Sequence, residues 1–159
     1  MSTKPELVLV GGGHTHVQVL RMQAMRPLAA RLTVVVDDPV AVYSGMVPGL
    51  VAGQYERREV EIDVRPLARR VGASVVMARC TRVDAEGKRI HLEGRPPLAY
   101  DVASLNIGST VAGLDTPGVR EHALPTRPIA TLVEQVEARL EDLPDRCRIV
   151  VVGAGAGGV

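Results

Sequence analysis

The residues with the clearest chemical purpose are glycines. Leu7-Val8-Leu9-Val10 runs into Gly11-Gly12-Gly13-His14-Thr15-His16, and Ile149-Val150-Val151-Val152 runs into Gly153-Ala154-Gly155-Ala156-Gly157-Gly158. In each, an apolar, β-branched run stops at closely spaced glycines. That is how a buried parallel strand turns into a helix N-terminus, where unpaired amides and the helix dipole attract a diphosphate. Gly11 fits the tight turn and Gly13 the close backbone approach to phosphate. Gly153, Gly155 and Gly158 complete the GxGxxG spacing, whereas the first copy has His16 where the last glycine should stand. A histidine there implies a shifted helix, or a side chain turned towards the ligand or a neighbouring loop. Two such loops suggest two dinucleotides, and two dinucleotides suggest electron transfer.

A carboxylate at the end of the second strand of such a unit can accept both hydroxyls of an adenosine ribose. Asp37, the first residue past Leu32-Thr33-Val34-Val35-Val36, is the favoured candidate. Asp38, before Pro39, fits a plain turn residue. His14 and His16 stand at i and i+2, so they do not face one another on a helix. No carboxylate or cysteine lies at ligand spacing, and no metal site is expected. Cys80 and Cys147 form neither a CxxC nor a metal pattern and read as reduced, cytosolic thiols. There is no nucleophile elbow and no paired-carboxylate signature, so no catalytic side chains are assigned. That fits chemistry carried by a bound cofactor, with the protein supplying placement and electrostatics.

The elements that position these residues follow from the hydrophobic pattern. Leu7 to Val10 is a strand. His14 to Met25 is a helix with Val17, Leu20 and Ala24 on one face, ended by Pro27. Leu32 to Val36 is a second buried strand. Tyr43-Ser44-Gly45-Met46-Val47-Pro48-Gly49 is too long for an ordinary connection and is expected to be a functional loop. Asp63 caps a helix bearing Val64, Leu67, Ala68 and Val71, stopped by Gly72. From Ser74 the period changes to two: Ser74–Val83, Lys88–Leu92 and Leu98–Ile107 read as strands, with Ala85-Glu86-Gly87 as a turn. His122–Pro125 is a further candidate strand. Pro128 opens a helix with Ile129, Leu132, Val133, Val136 and Leu140 at helical spacing, and Leu143-Pro144-Asp145 breaks it.

The chain has 159 residues, enough for one well-buried domain. A net charge of +1, with arginines scattered rather than blocked, gives no electrostatic case for nucleic acid. Phe and Trp are absent and Tyr occurs three times, so the core must be aliphatic. No run approaches a membrane-spanning length, and no signal-peptide core precedes the first strand. A cytoplasmic protein is expected. The second glycine unit stops before its helix, second strand and acid, so the chain is expected to be part of a longer protein. Residues 148–159 are expected to pack on the first domain or to be disordered.

Taken together these motifs resemble the FAD-dependent pyridine nucleotide-disulfide oxidoreductase superfamily, on the branch near type II NADH dehydrogenases. The 11–16 and 43–49 motifs are similar to those of NADH dehydrogenase-like flavoproteins sometimes fused to selenide, water dikinase. The resemblance covers essentially the whole chain. It implies an α/β fold: a Rossmann-like FAD-binding domain with a parallel sheet and a small antiparallel β-meander over 1–127. A connecting helix and turn (128–147) follow, then the start of an NAD(P)H-binding unit (148–159). By that resemblance Gly11, Gly13, His14 and Thr15 hold the FAD diphosphate and Asp37 the ribose. Tyr43 to Pro48 approach the flavin, the backbone at Cys80 reads the adenine edge, and Gly108, in Tyr100-Asp101-Val102-Ala103-Ser104-Leu105-Asn106-Ile107-Gly108-Ser109, approaches the cofactor. Asn106 replaces the usual alanine of that segment. Gly153, Gly155 and Gly158 begin the NAD(P)H site.

The implied activity is hydride transfer from NAD(P)H to flavin and onward to an acceptor such as a quinone. In the longer protein, peripheral contact with the inner face of the cell membrane would accompany it. Two departures matter. The redox CxxxxC of the disulfide reductases is missing near Tyr43–Gly49, which argues against a dithiol mechanism. The late GD motif that completes FAD binding must lie beyond Val159. The rival readings are a non-catalytic nucleotide-binding or redox-sensing module, and a flavoprotein partner in selenium metabolism.

Overall fold

The computed structural model describes residues 4–144 and 146–153. Four parallel strands form the central sheet: β1 (Glu6–Val10), β2 (Arg31–Val36), β5 (Ser74–Met77) and β9 (Val102–Leu105), in the order β5-β2-β1-β9. β1 sits inside, paired with β2 from Glu6↔Arg31 to Val10↔Val35 and with β9 from Leu7↔Val102 to Val10↔Leu105. A strand flanked on both sides by strands and on both faces by other layers must be apolar throughout, which explains the unbroken Leu7–Val10 run.

Alternate side chains of these strands face two different layers. Leu9, Leu32, Val34 and Val36 pack with Val17 and Leu20 of α1 (His14–Met25) and with Val64 and Ala68 of α4 (Val64–Arg70). Val8, Val10 and Val35 pack on the other face with Ile90 and Leu92. Those two belong to β7 (Arg89–Leu92), the middle strand of an antiparallel sheet completed by β6 (Cys80–Asp84) and β8 (Arg95–Ala99). The domain is therefore a helix layer, a parallel sheet and a β-meander stacked in three layers. Pro96 and Pro97 lie in β8, an edge strand, where a missing amide removes no ladder bond from the sheet interior.

Several expectations need correction. Ser74–Val83 is not one strand: β5 joins the parallel sheet and β6 the meander, with a break at Ala78-Arg79. Leu98–Ile107 likewise divides into β8 and β9 at Tyr100-Asp101. Each break carries the chain from one layer to the other. His122–Pro125 is not a strand; Val119–His122 makes one helical turn, α5, and residues 123–125 join no sheet among the described residues. The loop expected over 43–49 is largely helical. A 3-10 turn (Ser44–Met46) leads into α2 (Val47–Val51), with Pro48 in the first turn, where its absent N–H removes no bond.

The segment is tied down by β3 (Val40–Val42) against β4 (Glu61–Asp63), by α3 (Arg57–Val60), and by a small core of Val42, Val47 and Val60. Val133 of α6 (Ile129–Asp142) completes that core. The expected strand over Ile149–Val152 is not formed. These residues are 67–90% exposed and pair with no strand among the described residues, so they do not pack on the domain. Gly155 and Gly158 lie outside the described residues.

Candidate functional site

The site is at the C-terminal end of β1, the crevice where open α/β sheets bind ligands. Gly11 has φ +95°, a left-handed value that favours glycine, and its amide donates to the Val35 carbonyl at 2.8 Å. A Cβ on Gly11 would come within 2.7 Å of the Asn106 carbonyl carbon and 2.9 Å of Ile107 Cα. Gly13 is extended (φ −65°, ψ 168°) and occupies the N-cap of α1 with no side-chain cap. Its amide donates to the Asn106 carbonyl at 3.3 Å, and a Cβ on it would lie 2.6 Å from Asn106 Cγ. Both glycines are therefore required by Asn106 and Ile107, the residues that follow β9 and close against the loop.

Three amides in this turn, those of Gly12, His14 and Thr15, have no hydrogen-bond acceptor among the described residues. They belong to the uncapped N-terminus of a 12-residue helix with no acidic residue in its first turn. That is a site of partial positive charge suited to an anion. Two buried polar atoms in the same place also lack partners: Asn106 Oδ1, beside Gly13, and His14 Nε2. The His14 ring packs edge-on against Tyr43, with centroids 4.6 Å apart and planes at 70°. The 43–51 segment is thus brought onto the glycine turn.

The other candidates are placed as follows. Asp37 is exposed immediately after β2, and its Oδ1 accepts the Asp38 amide at 3.0 Å. Asp38 Oδ1 accepts the Val40 amide at 2.8 Å, the turn role expected of it. Gly12 lies beside Val36 and the Asp38 carbonyl, so the glycine turn adjoins the segment that carries Asp37. Pro48 is exposed in α2, and Gly108 has φ +81° with open space around it. Cys80 is half-buried in β6, where its thiol donates towards the Arg82 carbonyl at 3.9 Å. Gly153 has φ +130° and open space around it.

His16 is the residue whose role the spacing left open. It is completely buried. Its Nδ1 lies 2.7 Å from the Gly11 carbonyl and its Nε2 2.9 Å from Ser104 Oγ. A carbonyl only accepts, so Nδ1 carries the proton and Nε2 accepts from the Ser104 hydroxyl. Burial pushes the pKa down, and the bond to Gly11 opposes this. The ring is therefore a neutral, fully bonded part of the helix–sheet contact and does not occupy the cleft. Neither Ser104 nor Asn106 stood out as a site residue in the sequence; Asn106 in place of the family's alanine was the one available signal. Among the described residues, no group of three or more His, Cys, Asp or Glu could hold a metal ion. No helix among them is long and apolar enough to cross a membrane.

The residues present fit a dinucleotide: a glycine cradle that a Cβ would fill, free amides, unpartnered polar atoms and a nearby carboxylate. Comparison with known proteins agrees. The family model described as pyridine nucleotide-disulphide oxidoreductase matches residues 5–159. The NADH dehydrogenase-like protein YutJ of Bacillus subtilis is 25% identical over 158 residues, covering 97% of this chain and 43% of that protein. The external alternative NAD(P)H-ubiquinone oxidoreductase B4 of Arabidopsis thaliana mitochondria is 29% identical over 91 residues, covering 51% of this chain and 16% of that one. Among solved structures, NDH2 of Plasmodium falciparum in complex with NADH superposes with a TM-score of 0.72 at 16% identity, over 91% of this chain and 31% of that one. The sulfide:quinone oxidoreductase of Aquifex aeolicus gives 0.72 at 17%, over 87% and 32%. These structural likenesses establish the fold, and the chain spans less than half the length of each relative.

Proposed function

The chain belongs to the pyridine nucleotide-disulphide oxidoreductase family, and from that premise we propose that it forms the FAD-binding part of an NAD(P)H oxidoreductase. FAD, when bound, supplies the hydride-accepting chemistry; the chain supplies placement and electrostatics. In this reading the amides of Gly12, His14 and Thr15 receive the diphosphate, between Gly11 and Gly13. Asp37 takes the adenosine ribose and the backbone near Cys80 the adenine edge. Tyr43 to Pro48 border the flavin ring, and Gly108 lets the backbone after β9 come close. Gly153, Gly155 and Gly158 open the NAD(P)H site. Residues 1–127, 128–147 and 148–159 are then the FAD-binding part, its connecting helix and turn, and the first piece of the NAD(P)H unit.

The observation that carries this reading is the uncapped, acceptor-free helix start sealed by Asn106 and set beside the end of β2. A quinone is the proposed acceptor, supported by the names of the Arabidopsis and Aquifex proteins. Such an acceptor fits a cytoplasmic protein touching the inner face of the cell membrane. A partnership with selenide, water dikinase is supported only by the resemblance of the 11–16 and 43–49 motifs; co-purification of the two proteins would test it.

The test uses the full-length protein. Purified, it should show flavin absorbance that bleaches with NADH or NADPH under anaerobic conditions and returns on adding a soluble quinone. Absence of flavin sinks the reading. Flavin that binds but never bleaches favours a non-catalytic module instead.

A further inference from the structure

We propose that His16 is a positioning residue: its imidazole ties the Gly11 turn to β9 through Ser104 and thereby fixes the direction of the amides offered to the dinucleotide. This rests on the dinucleotide reading above. In the GxGxxG pattern the third glycine lets the helix lie close to the strand. Here the same position holds a large ring, completely buried, with both nitrogens bonded. One partner is the Gly11 carbonyl, five residues back; the other is Ser104 Oγ, 88 residues away in sequence.

The geometry links these bonds to the ligand side of the turn. The Gly11 carbonyl and the Gly12 amide belong to a single planar trans peptide and point in opposite directions. Holding the carbonyl inward at His16 Nδ1 therefore turns the Gly12 N–H outward, and that amide is one of the three with no acceptor. The second bond fastens the ring to β9 two residues before Asn106. Asn106 receives the Gly13 amide through its carbonyl and donates its own amide to Val10 at 2.8 Å. Ser104 in β9 and Asn106 just past its end thus anchor the two ends of the glycine turn, one through His16 and one directly.

The experiment combines spectroscopy with affinity, on the full-length flavin-loaded protein. Imidazole nitrogen NMR should show His16 in the Nδ1–H form; the Nε2–H form would overturn the proposal, because the Gly11 carbonyl would then face an unprotonated nitrogen. His16→Ala should weaken FAD binding about tenfold or more, the scale for leaving a buried partner unsatisfied. His16→Asn, whose amide can replace the Nδ1–H donor, should recover part of that loss, and Ser104→Ala should lie between. If His16→Ala fails to fold, the NMR signal and the Ser104→Ala and His16→Asn affinities decide. A purely structural histidine would lower Tm and leave FAD affinity at the wild-type value, and that result overturns the proposal. Wild-type protein free of flavin would instead mark failure of the function reading, whereas flavin-loaded wild type with unaltered variants marks failure of this inference alone.

Discussion

Asn106 meets Gly13 twice: its carbonyl accepts the Gly13 amide at 3.3 Å, and its side chain occupies the space a Cβ on Gly13 would need. This makes the residue that follows β9 the gauge of how closely the glycine turn can approach a ligand. Gly13→Ala should abolish flavin retention and destabilise the fold by about 1–3 kcal/mol, the usual cost of overpacking. Adding Asn106→Ala should recover part of both losses. It should recover little for Gly11→Ala, where the clash is with backbone and φ is +95°. Flavin content and chemical denaturation of the single and double variants provide the check.

Asp37 and Asp38 are adjacent, and their surroundings separate them. Asp38 is committed to the Val40 amide, while among the described residues Asp37 accepts only its neighbour's amide at the end of β2. Asp37→Ala should weaken FAD binding about tenfold, the scale of a lost hydrogen bond to a charged group. Asp38→Asn, which preserves the turn, should leave affinity unchanged. Equal losses from both would remove the assignment of Asp37 to the ribose.

His16 should make stability fall with acid. Burial holds its pKa below the ordinary 6.5. Between the native value and 6.5 the unfolded chain binds the extra proton, so stability is complete above 6.5 and declines as pH falls towards the native pKa. The limiting slope for one proton is about 1.4 kcal/mol per pH unit. Denaturation of the wild type and of His16→Asn at pH 5 to 7.5 should show this component in the wild type and lose it in the variant.

α6 is held in two ways whose strengths differ. Arg57 bonds Glu61 at 2.9 Å, Glu137 at 3.1 Å and Glu134 at 3.4 Å, all on the surface. Val133 lies completely enclosed with Val42, Val47 and Val60. Val133→Ala should cost about 2 kcal/mol by loss of buried methyl groups. Arg57→Ala should cost about 1 kcal/mol or less, since exposed ion pairs gain little over their hydration. Denaturant midpoints of the two variants will rank them.

The sequence reveals most where glycine and proline punctuate a strong period. α1 begins and ends at the expected residues because Gly13 and Pro27 bracket its apolar face. β1, β2 and the Asp63 cap of α4, which accepts the Arg65 amide at 2.9 Å, are legible for the same reason. What period two cannot say is which sheet a strand joins. Ser74–Val83 and Leu98–Ile107 therefore read as continuous, although each crosses between layers. Short helices such as α2 and α3 lack the length to show a period, and tertiary contacts with Val133 stabilise that region. The glycine turn of the site was visible because its residues are local. The clamp through Ser104 was not, because a bond between residues 88 apart leaves no local spacing.

The dinucleotide assignment is tested most directly by an experimental structure of the full-length protein with FAD bound. Diphosphate oxygens should lie within hydrogen-bond distance of the Gly12, His14 and Thr15 amides, with the Asp37 carboxylate on the adenosine ribose. A diphosphate bound elsewhere, with those amides facing water or protein, would contradict it.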